Sequence, residues 1–104
     1  MDFEHVALIK FPRDLTPDEV GWIDGLLGEW PTTIGGMRSL RWGFDVSGRA
    51  QGYTFGIVIT FESAEAAEAY QPHPRHQEFA QWARSVGGDV LVVDLPGEPE
   101  RLRT

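Results

Sequence analysis

The chain has 104 residues, enough for one domain with a single hydrophobic core. It carries 16 acidic and 9 basic residues, and the net charge of −7 disfavours binding to nucleic acid or to anionic membrane surfaces. Because the chain contains no cysteine, disulfides, thiolate metal sites and a cysteine nucleophile are excluded. Residues 1–6 lack the basic and apolar segments of a signal peptide, so we expect a cytoplasmic protein.

A strand and a long helix are predicted for the first third of the chain. Residues 5–11 are mostly apolar on both alternating faces, which is typical of a strand covered on both sides. Thr16 and Glu19 have the spacing of a capping box, and Pro17 suits the first helical position. Pro31 is predicted to end this helix. An apolar stripe at helical spacing precedes it: Val20, Ile23, Leu26, Leu27 and Trp30.

Two further strands follow. Residues 53–61 are apolar on both faces, as residues 5–11 are. Residues 47–52 are rich in turn formers and predict a hairpin between this strand and the preceding one. That preceding strand, residues 37–46, alternates between a mixed face and an apolar face made of Leu40, Trp42, Phe44 and Val46.

The second half of the chain predicts two helices and a last strand. Ser63 can cap a short helix over residues 64–70, and Pro74 suits the start of a second helix that runs to about residue 86. Residues 89–95 form the last predicted strand. We therefore predict one domain over residues 1–95 and a polar tail over residues 96–104.

The resulting order, β-α-β-β-α-α-β, predicts an α+β, ferredoxin-like monomer with a four-stranded antiparallel sheet. In that fold the first and third strands are central, which agrees with their apolar character on both faces. The helices can cover one face of the sheet, and a large apolar patch on the other face indicates an interface. We expect a homodimer, a dimeric α+β barrel, through a sheet face that carries Val6, Leu8, Leu40, Trp42, Phe44 and Val58.

Four segments together resemble the stress-responsive A/B barrel (Dabb) family of dimeric α+β barrels. They are HVALIKF (5–11), RWGFD (41–45), GYTFGIVITFES (52–63) and YQPHPRH (70–76). The nearest enzymes for comparison are polyketide cyclases of the olivetolic acid cyclase type. The resemblance implies that Tyr70 and His76 match a tyrosine and a histidine that act in an aldol cyclisation, and that His5 lies near the same pocket. Phe55 stands where that enzyme has a pocket histidine, which implies a more apolar pocket here.

His76 is also the first catalytic candidate from the residues themselves. Its position near a helix N-terminus favours a neutral imidazole, the form that a general base requires. The Tyr70 hydroxyl could bond to His76 or polarise a substrate carbonyl, and His5 lies on the strand face turned toward the helices. The expected pocket is lined by Phe55, Ala7, Ile9, Phe79 and Ala83.

Each of these side chains also has a purely structural interpretation. His76 could hold a turn through a backbone carbonyl, Tyr70 could pack its ring in the core, and His5 could be a satisfied core histidine. A metal held by His5, His73 and His76 is the weakest alternative, because the extended backbone before Pro74 would turn His73 away. We expect neither a metal nor another cofactor.

The sequence favours a cofactor-independent cyclase or lyase that acts on a small poly-keto or aromatic compound by general acid–base chemistry. The alternative is a non-catalytic stress-responsive or small-ligand-binding dimer, which needs the rigid barrel but no catalytic pair. The space around His76 distinguishes the two hypotheses. A closed, fully packed environment would favour the alternative, and an open cavity reached by both Tyr70 and His76 would favour the enzyme.

Overall fold

A computed structural model describes residues 1–97 and contains four strands and three helices within them. The predicted α+β class and element order are confirmed; the predicted tail lies outside the described residues from position 98 onward. No helix in residues 1–97 has the length and apolar character needed to cross a bilayer. In chain order the elements are β1 (Phe3–Lys10), α1 (Pro17–Thr33), β2 (Met37–Phe44), β3 (Phe55–Phe61), α2 (Ala64–Tyr70), α3 (Pro74–Ser85) and β4 (Asp89–Pro96).

The strands form one antiparallel sheet in the order β2-β3-β1-β4. The prediction that β1 and β3 are central is confirmed, and it explains why both strands are apolar on both faces. His5 lies opposite Ile59 on β3 and opposite Asp94 on β4. Directly opposed residues share a sheet face, so these three side chains project toward the helices.

The helices cover this face and form the core with it. Alternate residues of β1 and β3 are buried there, together with the apolar stripe of α1 and parts of α2 and α3. The side chains that are less than 2 % exposed and have the largest volumes include Trp30, Phe55, Phe61, Ile9 and Leu27. The predicted strand and helix patterns therefore place the core correctly on these five elements.

The face of β2 that the helices cover differs from the prediction, and this is the main correction to the fold. Leu40, Trp42 and Phe44 were expected on the uncovered side, and that prediction is wrong. The register pairs them with Ile59, Ile57 and Phe55, residues that face the helices. Trp42 Nε1 also donates a hydrogen bond of 2.8 Å to an Asp24 carboxylate oxygen on α1. Alternation separates two faces of a strand, but strand pairing decides which face the helices cover.

On the open sheet face, the side without helices, β2 contributes less apolar surface than predicted and β4 contributes more. From the predicted set it retains Val6, Leu8 and Val58. The register adds alternate residues of β4, because Leu91 lies opposite Leu8 and Val93 lies opposite Val6. In β4, Leu91, Val93 and Leu95 are each between 45 % and 51 % exposed. The result is a continuous apolar surface across three strands.

The α1 helix begins as predicted but ends later. Thr16 Oγ1 accepts from the Glu19 amide at 3.2 Å, and a Glu19 carboxylate oxygen accepts from the Thr16 amide at 2.8 Å, so the capping box is formed. The prediction that Pro31 ends the helix is wrong, since α1 continues to Thr33. Pro31 removes one N–H, but Ile34 N–H still reaches the carbonyl of Trp30 at 2.7 Å and closes the final turn.

Candidate active site

A cavity of about 180 Å³ lies between the helices and the β1–β4 side of the sheet. Its walls are mainly apolar and include Ala7, Ile9, Ile57, Phe79, Ala83 and Val92. Its polar lining consists of His5, Tyr70, Gln71, His76 and Arg84. Arg84 and Val92 are exposed, so they mark the side on which the cavity opens to solvent. A mostly apolar cavity with a few convergent polar groups is the usual form of a small-molecule site.

Four of the five expected pocket residues line this cavity: Ala7, Ile9, Phe79 and Ala83. Phe55 is placed elsewhere, which corrects the prediction. It is 1 % exposed and packs its ring against Phe44 at 5.2 Å and against Phe11 and Phe79 at 6.2 Å, measured between ring centroids. The reason is its position on β3 opposite Phe44, on the side of the sheet away from β4.

The start of α3 positions His76. The His73 ring nitrogen Nδ1 accepts from the Arg75 amide at 3.1 Å, so His73 caps the helix. In the first helical turn, His76 Nδ1 lies 2.8 Å from the carbonyl oxygen of Gln71. A carbonyl can only accept, so Nδ1 carries the proton and the neutral His76 ring has its lone pair on Nε2. The bond that holds the ring therefore also selects the tautomer that a base needs.

His76 is held in its uncharged form. Burial is the largest cause that lowers the pKa of His76, because it penalises the imidazolium. The hydrogen bond to the Gln71 carbonyl acts in the opposite direction, and electrostatic interactions with His5, Arg84 and His73 lower the pKa further. The predicted neutral imidazole is consistent with this direction, although desolvation is the main cause.

Tyr70 lies against His76 through its ring. The two ring centroids are 4.1 Å apart with a tilt of 36°. Trp30 and Phe61 contact the Tyr70 ring on other sides, at 5.6 Å and 5.2 Å. Burial raises the pKa of the Tyr70 hydroxyl above its usual value, and the negative charge of Asp94 adds to that effect. Tyr70 therefore keeps its proton at neutral pH and can donate it in a hydrogen bond.

His5 is anchored by a carboxylate. It is 3 % exposed, and its Nδ1 lies 2.6 Å from an Asp94 carboxylate oxygen on β4. Since an ionised carboxylate only accepts, Nδ1 of His5 is the donor and Nε2 is the nitrogen available to a ligand. The Tyr70 ring is 5.4 Å from the His5 ring, so Tyr70 lies between the two histidines.

The structure thus brings together the three predicted catalytic candidates, His5, Tyr70 and His76, around one cavity. Sequence reasoning missed Asp94 and Arg84. Asp94 is 89 positions from His5 in the chain, and the pairing of β1 with β4 is what joins them. The signal that could have found Asp94 was an acidic residue inside an otherwise apolar edge strand.

The chemistry available here is proton transfer at carbon or oxygen. A neutral imidazole nitrogen can accept a proton, and a protonated phenol can stabilise an oxygen on which negative charge develops. Within residues 1–97, no three histidine or acidic side chains come together as a metal site.

The family assignment follows from comparison with known proteins. The model of the stress responsive A/B barrel domain, Dabb, matches residues 3–96, nearly all of the described chain. The chain belongs to the Dabb family. That Dabb model covers all seven secondary-structure elements, including β4 with Asp94.

Two curated relatives and one solved structure illustrate the range of this Dabb domain's similarities. The stress-response A/B barrel domain-containing protein HS1 of Arabidopsis thaliana is 36% identical over 93 residues, which are 88% of this chain and 85% of HS1. Olivetolic acid cyclase of Cannabis sativa is 29% identical over 96 residues, covering 90% of this chain and 95% of the cyclase. A dimeric ferredoxin-like protein of unknown function from Thermobifida fusca has a TM-score of 0.77 and 26% identity, covering 93% of this chain and 92% of its own.

Proposed function

We propose that this Dabb domain is a cytoplasmic, cofactor-independent cyclase or lyase that acts on a small poly-keto or aromatic compound. The observation that carries the proposal is the convergence of His5, Tyr70 and His76 on one cavity with apolar walls. The cavity is open and is reached by both Tyr70 and His76, which is the arrangement that favours an enzyme over a packed structural cluster. A second support is the family relationship to olivetolic acid cyclase.

His76 is the general base in this proposal. Its Nε2 takes a proton from a carbon between two carbonyl groups, so a C–H bond breaks and an enolate forms. The enolate attacks a second carbonyl carbon of the same molecule and forms the new C–C bond. The alkoxide produced then recovers a proton from the His76 imidazolium, which returns the base to its starting form. A lyase would run the corresponding bond cleavage through the same proton transfers.

Tyr70 and His5 assist at the oxygen atoms. The Tyr70 hydroxyl, which stays protonated, donates a hydrogen bond to the carbonyl that becomes an enolate. His5 positions or polarises the attacked carbonyl, and Asp94 fixes the orientation of the His5 ring through the 2.6 Å bond. Such a partner keeps the imidazole in a single tautomer and a single rotamer. The roles of the three side chains are therefore complementary.

A non-catalytic stress-responsive or ligand-binding protein is the second candidate. Two observations favour it. The relative HS1 is described as a stress-response protein, and the His76 bond to the Gln71 carbonyl also stabilises the turn before α3. In this case the same cavity would bind a small molecule without converting it.

We further propose that the domain acts as a homodimer through the open sheet face defined above. The face combines Val6, Leu8 and Val58 with exposed apolar residues of β4. Burying apolar surface of this kind is what drives most stable association between proteins. The Thermobifida fusca protein of the same fold is described as dimeric, which supports this arrangement.

The function is tested by turnover of a linear poly-β-keto thioester of N-acetylcysteamine, with the cyclised product followed by chromatography. His76→Asn is the informative variant, because the asparagine amide can still donate to the Gln71 carbonyl but carries no basic nitrogen. We expect the wild type to form product and His76→Asn to lose at least about 100-fold in kcat. Tyr70→Phe is expected to lose about 10-fold or more, since it removes one donor to the developing oxyanion.

The outcome that would contradict an enzyme is equal product formation by the wild type, by His76→Asn and by buffer. Circular dichroism of each variant shows whether the fold is retained. Saturable ligand binding without product would favour the second candidate.

A further inference from the structure

Arg84 is a charged residue of the cavity that the proposed reaction does not use. On α3 it follows His76, Ala80 and Ala83 at helical spacing, and all four residues line the cavity. Arg84 lies eight positions after His76, which corresponds to about 12 Å along the helix axis. Arg84 therefore lies at the exposed end of the cavity, and His76 lies deeper.

The charge of Arg84 is not neutralised by a neighbouring carboxylate in the described chain. The other arginine of α3, Arg75, pairs with Glu78 at 3.1 Å. Within residues 1–97, Arg84 makes no ion pair and no side-chain hydrogen bond, although acidic residues outnumber basic ones by 16 to 9 in the full sequence. Its charge nevertheless reaches the site, because it contributes to lowering the pKa of His76.

The rest of the cavity suits an apolar body of limited size. Ile9, Ile57 and Phe79 line it, and its volume of about 180 Å³ is below the several hundred Å³ of sites for drug-sized ligands. An arginine guanidinium offers parallel N–H donors that match the two oxygens of a carboxylate. A cavity with a cation at its mouth and apolar walls behind it is suited to bind a small amphiphilic anion.

We propose that the cavity selects a small carboxylic acid in its ionised form, with Arg84 binding the carboxylate and the apolar walls holding the aromatic or aliphatic body. The reacting end of such a ligand would then lie near His5, Tyr70 and His76. This inference rests on the proposed function in treating this cavity as the ligand site. It adds the charge and the polarity of the substrate, which the acid–base residues do not specify.

A purely structural role is the alternative to carboxylate binding by Arg84. It lies in the last turn of α3, where a positive charge interacts favourably with the helix dipole. That role would affect the stability of α3 but would give no preference between ligands of different charge. Selectivity for a charged ligand is therefore the readout that separates the two roles.

The test compares benzoate with benzamide, two ligands of nearly the same size that differ in charge. Binding to the full-length protein is measured by calorimetry, and the imidazole NMR signals of His5 and His76 report occupancy of the cavity. We expect benzoate to bind at least about 10-fold more tightly than benzamide to the wild type. In Arg84→Gln this preference should disappear. Arg75→Gln, the same substitution on the same helix but outside the cavity, should retain it.

Equal affinity of the wild type for both ligands would overturn the inference, as would a benzoate preference that survives in Arg84→Gln or the failure of both ligands to shift the histidine signals. The two proposals can fail separately. Turnover that depends on His76 without a carboxylate preference would refute the role of Arg84 and leave the enzyme proposal intact. A carboxylate preference without turnover of any substrate would identify a binding pocket and refute the enzyme.

Discussion

His5 and Asp94 form the most buried polar contact of the site. The His5 side chain is 4 % exposed and lines the cavity, and the Asp94 side chain is 44 % exposed. The pair therefore extends from the cavity to the protein surface. A hydrogen bond of 2.6 Å to a carboxylate is of the charge-assisted kind, which is stronger than a bond between neutral groups. Asp94 therefore both stabilises β4 against β1 and orients the His5 ring.

We predict that Asp94→Asn lowers the free energy of unfolding by about 1 kcal/mol, because it removes the ionised acceptor of a buried donor. It should also lower kcat more than Asp89→Asn, a matched change on the same strand outside the cavity. Urea denaturation and initial rates measure the two effects. If Asp94→Asn and Asp89→Asn behave alike in both assays, the orienting role of Asp94 is wrong.

The pH dependence of stability tests the state of His76. Its folded-state pKa lies below the ordinary value of 6.5, so below that value the unfolded chain binds more protons than the folded chain. The contribution of His76 to stability is thus fully present above pH 6.5 and is lost as the pH falls through the lowered pKa. We predict a steeper fall in unfolding free energy as the pH drops below 6.5 for the wild type than for His76→Asn. Denaturant titrations at several pH values measure this, and parallel curves would show that His76 is not desolvated.

At the residue scale, the sequence predicts some of the site residues but not all of them. His5 was predictable, because strand alternation turns its side chain toward the helices. Tyr70 and His76 were predictable from the end of α2 and from Pro74, which places His76 in the first turn of α3. Asp94 was not, because it enters the site through a contact that a single sequence does not encode locally. For Asp94 that contact is the β1–β4 pairing, with a separation of 89 residues. Arg84 was missed although it follows His76 at helical spacing on α3.

At the scale of elements, the ends of the helices are set by side chains that replace missing backbone bonds. Thr16 and Glu19 satisfy amides at the start of α1, and Ser63 and His73 do the same for α2 and α3. Since α1 supplies Trp30, which contacts both Tyr70 and His76, its first turn affects the site indirectly.

We predict that Thr16→Ala lowers the free energy of unfolding by about 1 kcal/mol, because the Glu19 amide loses its acceptor. Thr16→Ser is the control, since serine keeps the hydroxyl and should stay close to the wild type. Thermal or chemical denaturation compares the three proteins. A Thr16→Ser variant as unstable as Thr16→Ala would exclude the cap as the cause.

The elements also show where sequence patterns stop being sufficient. Strongly apolar strands such as β1 and β3 were placed correctly, because a strand buried on both faces can only be central. The half-apolar strand β2 was placed with the wrong face outward, because alternation is the same whichever face is covered. The observed pairing of Trp42 with Ile57 resolves that ambiguity.

At the scale of the whole molecule, the open sheet face and the cavity lie on opposite sides of the same sheet. Val58 is in β3 near the middle of the open face and is 38 % exposed. In the proposed homodimer a second copy of the chain covers this face, whereas the cavity is lined by residues of a single chain.

We predict that Val58→Asp shifts the protein from dimer to monomer at micromolar concentration, because it would bury an unpaired carboxylate. Val46→Asp is the control, since Val46 is 100 % exposed and lies outside the sheet. Sedimentation equilibrium reports the association state of each. A wild type that is already monomeric, or a Val58→Asp protein as dimeric as Val46→Asp, would refute this interface.

The central claim is that this cavity performs proton transfer at carbon, and hydrogen–deuterium exchange measures that step without knowledge of the natural substrate. A panel of small methyl ketones and 1,3-diketones in D₂O is followed by proton NMR with the wild type, with His76→Asn and with buffer. We predict that the wild type accelerates exchange at carbon next to the carbonyl for members that fit the cavity, and that His76→Asn is at least about 100-fold slower. Exchange at the buffer rate for every member of the panel, or equal acceleration by His76→Asn, would contradict the claim.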